Sequence, residues 1–78
     1  MRTLQDMKMK TDYMMEQMRI NAINDTFEKF KEAARHYYET SEGGKEVTKL
    51  INELEELGAN MEYVIVTDLQ IRDEVFGL

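Results

Sequence analysis

Glu28, Glu32 and His36 fall at i, i+4 and i+8 of a segment rich in helix formers, so one helical face would present two carboxylates and an imidazole. Such a trio could hold a metal ion or, at His36, move a proton. Di-metal helical bundles instead set Glu-x-x-His on paired helices with further Glu from others, and that spacing is absent. The three also stand among Lys29, Lys31 and Arg35, so a solvated, charge-paired face is the expected role. His36 is the single histidine, which removes every two-His zinc arrangement. Near a helix C-terminus and beside Tyr37 and Tyr38, it reads as a partly exposed residue whose charged form suits the dipole.

Two further segments resemble chemistry without its requirements. Ser41-Glu-Gly-Gly-Lys-Glu has the Gly-Lys of a phosphate loop but neither the opening glycine nor the Ser or Thr after the lysine that reaches magnesium; Glu46 stands there. A flexible turn is expected. Phe27, Phe30, Tyr37 and Tyr38 could stack nucleic-acid bases, but platforms of that kind need a positive groove, and none is written here. With Ala33 and Ala34 among them, these aromatics read as core that another helix approaches closely. No catalytic residue, cofactor site or metal site is therefore assigned.

The elements that carry these residues follow from composition. The 78 residues leave room for one domain, 1–78, near the size at which a single apolar core just offsets chain entropy. There is no cysteine to add a disulfide or a thiolate metal site. The N-terminal residues lack the apolar core of a signal peptide, and the longest aliphatic run, Val64-Ile65-Val66, is far short of a membrane span. A cytoplasmic protein without membrane contact is the expectation. Net charge is −6, with 7 basic and 7 acidic groups in residues 1–39 but 3 basic and 9 acidic in residues 40–78. An acidic surface repels phosphate, so direct nucleic-acid binding is not expected.

The fold class is mainly α. Proline is absent, and the four glycines, Gly43, Gly44, Gly58 and Gly77, mark the expected breaks. A long N-terminal helix should run from Thr3 to about Glu39, supported by Asp6–Lys10, Glu16–Arg19 and Glu32–Arg35 pairs. Its apolar residues change phase: Leu4, Met7, Thr11, Met14, Met15, Met18 and Ala22 share one face. Ile20, Ile23, Phe27, Phe30, Ala34 and Tyr37 follow a second series roughly 130° further round. Either one continuous or mildly bent helix meets two neighbours, or the chain kinks within residues 21–26, where Asp25 and Glu28 could form a capping box. After a loop at residues 40–44, a second amphipathic helix should span about Lys45 to Leu57 and end at Gly58 in a left-handed cap. The C-terminal segment admits two readings. Met61, Val64, Ile65, Leu69 and Phe76 fit one face of a third helix, whereas Tyr63-Val64-Ile65-Val66-Thr67 has strand propensity. A strand would need the same segment of another subunit as its partner, followed by a short helix opened at Thr67.

Two surfaces are candidates for function. Six of the seven methionines lie in the first eighteen residues, and the stripe Leu4, Met7, Thr11, Met14, Met15 and Met18 is expected to serve as a partner or dimer interface, because Met packs against irregular or changing surfaces. A straight helix of about 35 residues spans about 52 Å, whereas a compact globule of this size has a radius of gyration near 11.5 Å. Such a helix must project, and a homodimer along the first helices would cover its Met face. The second surface is an acidic face at Glu46, Glu53 and Glu56. Together they suggest a small acidic regulatory or inhibitory protein that occludes a surface on a larger protein, with itself as a second partner. Two alternatives are an assembly factor acting only through oligomerisation and a nucleic-acid mimic that blocks the basic groove of a DNA- or RNA-binding protein.

Overall fold

A computed structural model describes the backbone of residues 4–78 and the side chains from Asp12 onward. It contains three helices, α1 (Leu4–Thr40), α2 (Gly44–Leu57) and α3 (Met61–Phe76). α1 is unbroken through residues 21–26, as expected where neither Pro nor Gly interrupts the backbone ladder. The capping box at Asp25 and Glu28 is accordingly not used. α1 ends in a left-handed residue, Ser41 (φ 61°), whose N–H donates to the Tyr37 carbonyl at 2.7 Å. Gly43 then turns the chain at φ 85° and α2 starts one residue earlier than its charge pattern suggests. Gly58 closes α2 at φ 84°, the expected left-handed cap.

Contacts along α1 fix the topology as up, down, up. α2 returns antiparallel to α1, far enough that the Arg19 guanidinium donates to the Leu57 carbonyl at 3.4 Å. α3 then runs parallel to α1. Tyr63 at its start stacks on Phe27 with ring centroids 5.3 Å apart, and Phe76 at its end meets the edge of Tyr38 at 6.0 Å. Both short helices pack mainly on α1 rather than on each other. The core is the second apolar series of α1, with Phe30 and Ala34 buried, joined by Val47, Leu50 and Leu54 of α2 and by Val64 and Ile71 of α3. Fully burying Phe30 and Leu54 stabilises the fold by about 1.5–3 kcal/mol each.

Residues 61–69 are helical, and among the described residues there is no strand, so the intersubunit-strand reading of Tyr63–Thr67 is overturned. A helix satisfies its own backbone groups without a partner chain, and this one is started by Asn60, whose side chain accepts from the N–H groups of Glu62 at 3.1 Å and Tyr63 at 3.3 Å. Thr67 does not open a new helix. It is buried mid-helix, its hydroxyl donating to the Tyr63 carbonyl at 2.8 Å. The expected single apolar face of this segment also divides. Val64 is buried and Met61 half-buried, while Ile65 and Leu69 are exposed on the far side and Phe76, though exposed, meets Tyr38 of α1.

Polar contacts fasten α3 to α1. Arg35, expected to pair with Glu32 along its own helix, reaches Glu74 at 2.7 Å instead. The Tyr38 hydroxyl donates to the Asp68 carboxylate at 2.9 Å in a partly buried setting. Burial, followed by that hydrogen bond and the charge of Asp68, pushes the Tyr38 phenol from 10.0 up to about 12. The folded state thus favours the neutral phenol. Its contribution is fully present below about pH 10 and is lost as pH rises through the folded value. Tyr38→Phe should cost about 1 kcal/mol at neutral pH and should flatten the alkaline fall in stability. Urea denaturation of both proteins at neutral and alkaline pH checks this. An equally steep alkaline fall in the variant would locate the titration elsewhere.

Candidate functional site

The long helix outruns the two that pack on it. α1 has 37 residues against 14 in α2 and 16 in α3, and α2 reaches back only to the level of Arg19. The remainder projects as an arm. The molecule therefore measures 60 × 22 × 14 Å with a radius of gyration of 17.0 Å, well above the about 11.5 Å of a compact chain of this length.

Of the sequence-derived stripe, Met14, Met15 and Met18 lie on this arm and expose 60%, 63% and 70% of their surface. The side chains of Leu4, Met7 and Thr11 lie outside the described residues. Tyr13, not singled out from the sequence, is 69% exposed. It stands seven residues before Ile20, fourteen before Phe27 and twenty-one before Ala34, which is the spacing that could have found it. Tyr13 and the half-exposed Ile20 continue the core face of α1 toward its N-terminus, Ile20 at the edge of the stretch that α2 reaches and Tyr13 beyond it. The arm is thus apolar on two sides: Met14 and Met18 on one, and Tyr13, with Ile20 at its base, on the other. Between them runs a polar edge. Arg19 pairs with Glu16, and its hydrogen bond holds the Glu16 carboxyl below the ordinary value.

The acidic face is less uniform than its sequence suggests. Glu46 and Glu56 are exposed, but Glu53 is half-buried. Lys49 sits at helical spacing between Glu46 and Glu53 and breaks the line of negative charge. Glu28, Glu32 and His36 are all exposed on α1. Glu28 pairs with Lys31 at 2.7 Å, Lys31 also lies 5.3 Å over the Phe27 ring, and the His36 Nε2 is 3.5 Å from the Thr40 hydroxyl. Among the described residues no three His, Cys, Asp or Glu side chains converge as metal ligands do, and no helix is long and apolar enough to cross a membrane. A shallow groove between α1 and α3 is lined by Lys31, Glu32, Arg35, Gln70 and Glu74, and the Arg35–Glu74 pair crosses it. The arm is the strongest candidate.

Because Met14 and Met18 are exposed and lie outside the core, Met14→Lys with Met18→Lys should leave the thermal midpoint and helical circular dichroism of the protein essentially unchanged. Phe30→Ala should cost about 3–5 kcal/mol, most of the stability of so small a domain. A double Lys variant that unfolds would show that the Met face is needed for folding. Comparison of the chain with protein-family models, with curated proteins and with solved structures finds no match.

Proposed function

We propose that this chain is a small interaction protein that acts by surface occlusion: the folded C-terminal portion anchors and presents the arm, and the arm lies in an apolar groove of a larger protein, blocking or reshaping it. The observation that carries the reading is the placement of Met14, Met18 and Tyr13 on two sides of a helical stretch that no other described element covers. An apolar patch that projects from a small protein marks a contact surface, and an amphipathic helix entering a groove is a recurring mode of recognition. Met suits the task because its unbranched thioether side chain adapts to the shape it meets. The acidic residues Glu46 and Glu56 then serve encounter and solubility. The interruption at Lys49 makes a phosphate-like array on α2 the weaker account of the acidic half.

A photo-crosslinking amino acid placed at Met14 in the source cell tests the reading, with the same group at the exposed Thr48 on α2 as control. The expected result is an adduct with one larger protein from position 14 but not from position 48, lost when Met18→Lys is added. The captured interaction should be nearly insensitive to salt, because apolar burial is not screened. Adducts only with further copies of the chain would make the arm an assembly element. Equal yields from both positions would remove the arm as a specific site.

A further inference from the structure

The face of α3 turned away from α1 and α2 carries a second, ordered surface. Glu62, Ile65, Leu69 and Arg72 are spaced 3, 4 and 3 residues apart, which is the spacing of a coiled-coil seam. All four are exposed, with Ile65 at 58% and Leu69 at 41%. Val64, Thr67 and Ile71, the buried residues of the same helix, lie on the opposite side. A seam of this kind needs another helix, and the two short helices of the fold are already committed to α1.

We infer that this seam pairs antiparallel with the same seam of a second copy, forming a two-fold symmetric dimer through α3. The charges of the seam are symmetric about its centre. Midway between Ile65 and Leu69, the acid and base of the seam are equally far away on either side. An antiparallel pair with its axis there sets Ile65 against Leu69 of the second copy and Glu62 against Arg72, twice each, as an isologous contact requires. Parallel pairing would place Glu62 on Glu62 and Arg72 on Arg72, which like-charge repulsion disfavours. Arg72 is available for the contact, since its hold on Asp73 is an exposed neighbour pair at 3.3 Å. This inference uses a different helix from the proposed arm and stands or falls separately from it.

Sedimentation equilibrium of the full chain over micromolar concentrations, at about 0.15 M salt, where a Debye length of about 8 Å damps the long-range repulsion between copies of charge −6 but leaves contacting pairs attractive, tests it. Wild type should be a dimer, and Leu69→Lys a monomer with unchanged helical content. Glu62→Arg and Arg72→Glu should each weaken self-association by at least about tenfold, because each replaces two attractions by repulsions. The double variant E62R/R72E should recover wild-type association to within a few-fold, and an equimolar mixture of the two single variants should form a heterodimer. Met14→Lys with Met18→Lys should leave the dimer intact, whatever it does to capture of a larger protein. A monomeric wild type overturns the inference. So does a dimer that the charge reversals leave intact, that the double variant fails to restore, or that is lost only in the Met variant. Should Leu69→Lys unfold the chain, the charge series decides alone.

Discussion

The structure rests on one inequality of length. A helix of 37 residues is packed by helices of 14 and 16 that lie on the same stretch of it, from about Arg19 to Tyr38. Phe30, Ala34, Leu54 and Val64 meet in that stretch and are shielded from water together. Because α2 and α3 hold to α1 more than to each other, α1 is the platform on which the rest is assembled. Any loss at Phe30 or Ala34 therefore loosens both short helices at once. The same inequality leaves the described side chains from Asp12 to Met18 exposed, so the feature that makes the core possible also creates the arm.

A core this small depends on its polar fastenings more than a larger one would. Asn60 starts α3, Thr67 satisfies its own buried hydroxyl within the helix, and Tyr38 ties α3 to α1 through Asp68. Among the described side chains none is left buried without a hydrogen-bond partner, as a stable interior requires. Of these fastenings, the Tyr38–Asp68 bond crosses from α1 to α3 and, with the Arg35–Glu74 pair, orients α3 about its own axis. That rotation decides which of its many apolar residues are core and which are surface. Without Asp68 aimed at Tyr38 and Glu74 at Arg35, Ile65 and Leu69 would compete with Val64 and Ile71 for the same place, since all four are similarly apolar and separated by less than two turns of helix.

Much of the architecture was legible because short-range patterns and tertiary packing agree. The change of phase in α1, from the Met stripe to the Ile23, Phe27, Phe30 and Ala34 series, marks where the core begins, and Gly58 stops α2 as a left-handed cap. The arm was legible for the same reason: methionines out of phase with the core must face something else. Where the reading failed, two signals pointed opposite ways. Tyr63 to Thr67 is β-branched or aromatic at every position, and propensity alone suggests a strand. The Asn60 cap and the burial of Val64, Thr67 and Ile71 at helical spacing outweigh it. The single face assigned to α3 failed for a related reason. A helix that is apolar on two sides has no one direction to read, and only the partners of Asp68 and Glu74 reveal which side is inward. The expected Glu32–Arg35 pair lost to Glu74 because local spacing shows only partners on the same helix, and Arg35 is long enough to reach across.

The two outward surfaces do not compete for space. α3 starts level with Phe27 and ends near Tyr38, whereas Met14 and Met18 lie beyond the opposite end of the folded portion. Since α3 runs parallel to α1, an antiparallel pairing of two α3 helices also sets the two α1 helices antiparallel, and the two arms leave the particle at opposite ends. A two-fold dimer built this way is a bivalent rod. Each arm would be presented to a separate copy of the target or to two sites on one elongated partner, and the second engagement would be intramolecular, with an effective concentration set by the rigid spacing of the arms rather than by bulk protein. A dimer along the Met stripes would do the reverse, hiding the adaptable face in its own seam and leaving Ile65 and Leu69 in water. Covering the ordered, self-complementary seam with a second copy and keeping the adaptable Met surface for a different protein assigns each residue type to the contact that its chemistry suits.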